Sequence, residues 1–260
     1  SSLVEVEDCG GKFYDNGIEG DALSILKAHG ANMVRLRLWN DPYDAEGNSY
    51  SAGYSDIKTV LKLAKRASKL GLGWLLDLHY SDCWADPGKQ TIPKAWQGMN
   101  VDELETAVYE YTLNVLKECE EAGLKPQMVA IGNELSNGLL WPYAKVPEYA
   151  NIARFVSAGI RASREFDAKI PVMIHLDNGG NNELYRRWFD NYFSNNGLDF
   201  EYIGLSYYPF WHGTLDMLRD NMNDIASRYG KKLIVAEVSM GFTLDDYKDY
   251  EKLPDELRKG

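Results

Sequence analysis

The sequence has little of what several protein classes depend on. Three cysteines occur in 260 residues, Cys9, Cys83 and Cys119, an odd number with no CxxC spacing. That supports neither a disulfide framework nor a zinc knuckle. Four histidines are too few for a histidine-rich metal site. No run of about 18 apolar residues exists, so no transmembrane helix is expected. Positive charge is also scarce: 28 Lys and Arg against 39 Asp and Glu leave a net charge of -11. Such a surface repels phosphate backbones and anionic lipid, so neither nucleic acid nor a membrane is expected as a partner. A neutral ligand is the easiest fit. The opening residues Ser1-Ser2-Leu3-Val4-Glu5 do not form a signal peptide, and a secreted chain whose signal has been removed would read the same way.

Aromatic residues, by contrast, are plentiful, with 17 Tyr and 7 Trp. Their positions matter more than their number. Trp84, Trp96, Trp141, Trp211, Tyr207 and Tyr208 fall in or beside segments that read as loops after strands, whereas Trp74 and Trp188 fit core positions and Trp39 fits either. Sugar rings have apolar C–H faces that stack on such side chains, so the loop bias suggests an open, saccharide-lined cleft.

The elements alternate. Asn32–Trp39 alternates like a strand, and mostly apolar runs at Trp74–His79, Met128–Ile131, Pro171–Asp177, Tyr202–Tyr208 and Lys232–Val238 read as strands. Between and before them, 3.6-residue periodicity predicts helices over Glu19–His29, Ser55–Leu70, Asp102–Ala122, Pro147–Asp167, Asn182–Phe193 and Leu215–Tyr229, several stopped by glycine. Strands that are mostly apolar runs belong to a parallel sheet covered on both faces. No glycine-rich phosphate loop follows any strand, which favours a (β/α)8 barrel over a doubly wound sheet. Polar residues cluster at the strands' C-terminal ends, where a barrel carries its chemistry. Six strands are legible and a closed barrel needs eight; Leu3–Glu7 alternates but is short. Residues 1–260 are expected to form a single catalytic barrel domain, truncated at both ends, with the first and eighth strands missing.

Two of those strand ends carry glutamates, Glu134 and Glu237. Glycoside hydrolysis needs such a pair: a protonated acid for the leaving oxygen and an ionised partner, about 5–5.5 Å apart in a retaining enzyme. Asn133 beside Glu134 could hydrogen-bond a sugar hydroxyl, and Arg37, His79 and His175 supply donors on the same face, a guanidinium near the second carboxylate keeping it ionised. The rival reading is a metal hydrolase using Asp77, His79 and His175, although no HxH pattern opens the first strand.

The segments "VRLRLWNDP" (Val34 to Pro42), "DLHYSDCWADPGKQTIPKAW" (Asp77 to Trp96), "IGNELSNGLLWP" (Ile131 to Pro142), "HLDNGG" (His175 to Gly180), "IGLSYYPFWHGTL" (Ile203 to Leu215) and "VAEVS" (Val235 to Ser239) resemble glycoside hydrolase family 53, the arabinogalactan endo-β-1,4-galactanases of a clan of retaining (β/α)8 barrels. The resemblance implies Glu134 as acid/base and Glu237 as nucleophile. It implies Arg37, His79, Asn133, His175 and Tyr207 around the reactive sugar, and Asp82, Trp84, Trp96, Asp177, Asn178, Tyr208 and Trp211 along the cleft. The substrate would be β-1,4-galactan, the side chain of pectic type I arabinogalactan, and the enzyme secreted. No cofactor is expected: several relatives have a calcium loop after the nucleophile, and Asp245, Asp246 and Asp249 here do not match its pattern. With strands one and eight missing, the strands bearing Arg37 and Glu237 would have open edges through which chains could self-associate. The alternative function is a truncated, inactive or weakly active barrel fragment that at most binds glycan.

Overall fold

The computed structural model describes residues 2–50 and 55–239. Seven helices are present among them: α1 (Ser2–Asp8), α2 (Ala22–Ala28), α3 (Ile57–Lys69), α4 (Val101–Glu121), α5 (Tyr149–Phe166), α6 (Asn182–Ser194) and α7 (Leu215–Tyr229). Six strands, β1 (Met33–Leu38), β2 (Gly73–Leu78), β3 (Met128–Ile131), β4 (Val172–Leu176), β5 (Tyr202–Tyr207) and β6 (Lys232–Val238), pair in parallel in chain order, with β1 and β6 at the edges. Two short antiparallel hairpins complete the sheet structure, Phe13–Asp15 with Ile18–Gly20 and Gly138–Leu139 with Ala144–Lys145. The fold is an incomplete (β/α)8 barrel. The Leu3–Glu7 alternation does not make a strand: it lies in α1, whose Val4 enters the core and whose Glu7 pairs with Arg66 of α3 at 2.7 Å.

Local chemistry sets the helix ends. Asp56 caps α3 by accepting the Thr59 N–H, and Asn100 and Glu103 form a reciprocal capping box at the start of α4. Each satisfies amides that the helix leaves unpaired, at about 1 kcal/mol per cap. Gly230 ends α7 at φ +64, a left-handed conformation that costs glycine nothing.

Strand alternation divides the interior in two. Residues such as Leu36, Trp74, Leu76, Val129, Ile174 and Leu205 face the helices in the main core. The opposite face forms the barrel interior. There Leu75, Met128, Ala130 and Met173 make a small apolar layer, with Ile234 and Ala236 packed against it. Nearer the strands' C-terminal ends the inward residues turn polar: Arg35, Asp77, His175 and Ser206. In β6 a bulge between Val235 and Glu237 leaves Ala236 unpaired and sets Glu237 opposite Ser206. Strict alternation would put Glu237 on the same face as Val235. The extra residue turns it inward, as bulges beside functional sites do.

Candidate active site

The segment from Gly132 to Gly138 fixes the first carboxylate. Gly132 has φ +79, and a Cβ there would meet the Leu135 side chain at 2.6 Å. Glu134 itself is left-handed, φ 49 and ψ 56, and begins a 3-10 turn over Leu135–Asn137. For a non-glycine residue this conformation is uncommon and is held by its surroundings. Leu135 is fully buried and its carbonyl accepts from Trp188 Nε1 at 2.7 Å. Glu134 is thereby pinned at the mouth, 8% exposed, with its Oε1 2.5 Å from Ser206 Oγ.

The second carboxylate is held differently. Glu237 Oε1 accepts from Arg35 Nη1 at 2.6 Å, and its Oε2 accepts from the Tyr208 hydroxyl at 2.7 Å. Arg35 Nη2 also reaches Asp77 Oδ2 at 2.8 Å and donates to Asn133 Oδ1. Asp77 is fully buried; burial pushes its carboxyl up, but Arg35 and then His79 outweigh this and hold it at about 2. Glu237 shows the same balance, with burial raising it and Arg35 foremost among the groups that bring it below the ordinary range. Among the described residues no cation touches Glu134 directly. Burial lifts it to about 7, and the nearby charges of Glu237 and Asp177 push the same way, against the smaller opposing effects of the contact with Ser206 and the charge of Arg35. One carboxylate oxygen from each glutamate and a His175 ring nitrogen lie within 4.8 Å of one another. Below about pH 7 the site therefore holds one protonated and one ionised carboxyl group in reach of the same small volume.

That trio is also close enough for a metal ion, but the Arg35 guanidinium directly on Glu237 supplies the positive charge a metal would bring. Asp77 and His79, from the metal-hydrolase reading, bond each other at 3.0 Å, and Asp77 is tied to Arg35 as well. The acidic residues Asp245, Asp246 and Asp249 lie outside the described residues.

The expected residues separate into three groups. Asn133, His175 and Tyr208 join the glutamates. Asn133 Oδ1 faces Arg35 and His175 Nδ1, while its Nδ2 donates to Ala85 O at 2.8 Å, leaving one amide hydrogen without a partner among the described residues. His79 sits one layer out, buried, its Nδ1 accepting the Ala85 N–H at 3.3 Å.

Trp84, Asp82, Asp177, Asn178 and Trp211 lie toward the flanks. Trp84 is 40% and Trp211 50% exposed. Asp177 is partly buried, one of its carboxylate oxygens has no partner among the described residues, and burial raises its pKa. A pocket of about 670 Å³ is bordered by Asn178, Trp211 and His212, and another of about 440 Å³ by Tyr50, Asp82 and Trp84. They belong to loops on opposite sides of β3 in the sheet order. Asp82 also ties two loops together, accepting the backbone N–H of Asp41 at 3.0 Å and of Lys94 at 2.7 Å.

Three expectations need correction. Arg37 does not touch Glu237: its guanidinium lies 3.6 Å from the Trp84 ring centroid and its Nε donates to Ser55 Oγ, and Arg35, two residues earlier on the same strand face, is the cation of the site. Tyr207 points the other way along β5, 3% exposed in the helix-side core with its hydroxyl on Gly213 O, because strand alternation gives the inward place to Ser206. Trp96 is 7% exposed and packs edge-on against Tyr111 and near Tyr80, filling the core rather than the cleft. The residues that sequence reasoning missed are therefore Arg35 and Ser206. Alternation in "VRLRL" puts both arginines on one face without saying which is deeper. Ser206 is polar inside an apolar strand, and that was its signal.

The whole-chain comparisons agree with this geometry. The sequence profile of Glycosyl hydrolase family 53 matches residues 1–258, and the chain belongs to that family of glycoside hydrolases. It is 38% identical, over 95% of its length, to the endo-beta-1,4-galactanase of Bacillus subtilis (strain 168), spanning 56% of that protein. It is 40% identical to the arabinogalactan endo-beta-1,4-galactanase of Humicola insolens, covering 92% of this chain and 72% of the relative. Among solved structures it is similar to the Ignisphaera aggregans GH53 catalytic domain, with TM-score 0.88 and 42% identity over 94% of this chain and 67% of that one.

Proposed function

We propose that this protein is a retaining endo-β-1,4-galactanase acting by double displacement. The observation that carries the reading is the pair of carboxyl groups with oxygens within 4.8 Å, one raised to about 7 and the other lowered. So short a separation leaves no room for water between them and suits a direct nucleophile. Glu237, ionised beside Arg35, attacks the anomeric carbon. Glu134 gives its proton to the departing glycosidic oxygen. A covalent glycosyl–enzyme results, and Glu134, now a carboxylate, takes a proton from the water that releases it. The unpartnered amide hydrogen of Asn133 is placed for a sugar hydroxyl. Trp211, 50% exposed, and Trp84, 40% exposed with Arg37 stacked on one face, offer aromatic surface to flanking sugars. The names of the Bacillus and Humicola relatives support β-1,4-galactan of pectic type I arabinogalactan as substrate. A polymer of that kind suits a secreted enzyme, and among the described residues no helix is long and apolar enough to cross a membrane.

The test is release of reducing ends from galactan by the native chain and by Glu134→Gln and Glu237→Gln. Both substitutions should lower turnover by about 10³-fold or more, and the first-formed anomer, followed by NMR, should be β. Hydrolysis surviving both substitutions would overturn the reading. No turnover by the native chain, with galactan still bound, would leave a glycan-binding barrel instead.

A further inference from the structure

The two glutamates are linked through protein groups as well as facing one another. From Glu134 Oε1 a chain of hydrogen bonds runs to Ser206 Oγ at 2.5 Å, on to His175 Nε2 at 2.9 Å, and from His175 Nδ1 to Asn133 Oδ1 at 2.9 Å. Asn133 Oδ1 then accepts from Arg35, which holds Glu237. His175 and Ser206 are fully buried.

Donor and acceptor counting gives this chain a direction. Arg35 can only donate, and the Ala85 carbonyl can only accept. Together they fix the Asn133 amide, with its Nδ2 on Ala85 and its Oδ1 toward Arg35 and His175. An oxygen facing His175 Nδ1 at 2.9 Å requires a hydrogen on that nitrogen. Arg35 Nη2 also approaches Nδ1, but at 3.5 Å, too long to compete. Burial, and after it the charge of Arg35, pushes His175 down to about 3, so the ring is neutral and carries one hydrogen. Nε2 is then an acceptor. Ser206 must donate its single proton to Nε2, and its oxygen can only accept from Glu134. At 2.5 Å the Glu134–Ser206 contact is a hydrogen bond, so the hydrogen in it belongs to Glu134.

We propose that Ser206 and His175 form a polarised relay, anchored by Asn133, that hydrogen-bonds Glu134 only when that carboxyl group is protonated, making both residues positioning residues for the acid. The relay rests on the reading of Glu134 as acid/base. It explains why a serine is buried beside a carboxyl group that must keep its proton: a hydroxyl donating to the carboxylate would favour ionisation, and one accepting from the acid opposes it. The charged and titratable groups facing Glu134 are Glu237, Asp177, Arg35, Tyr185 and Tyr208; Asp77 and His79 face His175. None of them faces Ser206 with a competing hydrogen bond among the described residues. After Glu134 has given up its proton, Ser206 can donate to the new carboxylate only by leaving His175, or if His175 moves its hydrogen from Nδ1 to Nε2. The relay therefore opposes the charged form and favours return of the proton from water.

The pH profile of Ser206→Ala on galactan tests the direction. Loss of an acceptor lowers the Glu134 pKa, so the basic limb of kcat/KM should move down by about one pH unit. A limb that moves up, as loss of a donor requires, or one that stays in place, as a purely structural serine requires, overturns the relay. The native chain gives a second readout, independent of whether that variant folds. In ¹⁵N-histidine-labelled protein at pH 5, the His175 resonances, assigned by their loss in His175→Gln, should show a protonated Nδ1 and an unprotonated Nε2. The opposite tautomer, or a doubly protonated ring, overturns the relay. Glu134→Ala separates this outcome from failure of the underlying reading when kcat/KM, which reports formation of the glycosyl–enzyme, is compared: for that step an acid is dispensable on an aryl glycoside with a good leaving group and indispensable on galactan. Equal loss on both substrates would remove Glu134 as acid, whereas the expected split together with an unmoved Ser206→Ala limb would remove the relay alone.

Discussion

The mouth of the barrel at the end of β3 and the mouth at the end of β6 hold the same side chain in opposite electrical settings. Glu134 sits over apolar packing, next to a neutral serine and histidine, and its pKa is raised to about 7. Glu237 sits on an edge strand, gripped by a guanidinium and a phenol, and its pKa is lowered. Both are largely removed from water, so burial alone would raise both. The difference is Arg35 first, with His175 and the Tyr208 hydroxyl beside it. In the proposed mechanism a few ångströms decide which carboxyl group is the acid, because at Glu237 Arg35, His175 and the Tyr208 hydroxyl together outweigh the desolvation they oppose.

Removing that arginine should break the contrast most completely. Arg35→Gln takes away the first attraction holding Glu237 ionised, so its pKa rises. The nucleophile must be ionised, so activity is lost as pH falls through that pKa. The acidic limb of kcat/KM should therefore move up by about 1–3 units. Arg35→Lys keeps the charge without the planar fork, so its limb should stay near the native position while kcat falls. An acidic limb unmoved in Arg35→Gln would show that Arg35 does not set the charge of Glu237.

The other side of the comparison is tested by stability. A carboxyl group raised from 4.5 to about 7 stabilises the fold least when ionised. Its full contribution is present below pH 4.5 and declines as pH rises to about 7. Glu134→Gln mimics the protonated form at every pH, and its amide can still donate to Ser206. It should be no more stable than the native chain at pH 4 but more stable by about 3 kcal/mol at pH 8. Urea unfolding at the two pH values measures this, and an equal difference at both would contradict it. The smallest effect is expected from Tyr208→Phe, which removes one neutral donor from Glu237. The acidic limb should rise by about half a unit, less than in Arg35→Gln.

Much of this was legible before the fold. Mostly apolar runs, and the alternation of Asn32–Trp39, marked the six strands to within a residue or two, and the acids at two strand ends pointed to the proposed chemistry. What failed, failed by facing. Trp96 lies in a loop in the chain, yet a short turn folds it back on Tyr80 and Tyr111, since covering an indole removes more apolar surface from water than loop polarity resists. The family resemblance implied Tyr207 and Arg37 around the reactive sugar. Ser206 and Arg35, their neighbours at one and two positions, hold those places.

By itself the sequence determined the order of elements, the parallel apolar sheet, the family, and the two glutamates. These follow from local periodicity and from residue types that only one chemistry needs together. The tertiary structure alone decided which arginine meets Glu237, which nitrogen of His175 faces Ser206, and that Glu237 points inward at all. The last depends on Ala236, the unpaired residue that turns the face of β6 just before its end. A strand's facing flips with every residue, so one insertion in the pairing reverses what periodicity predicts, and only the neighbouring strand records it.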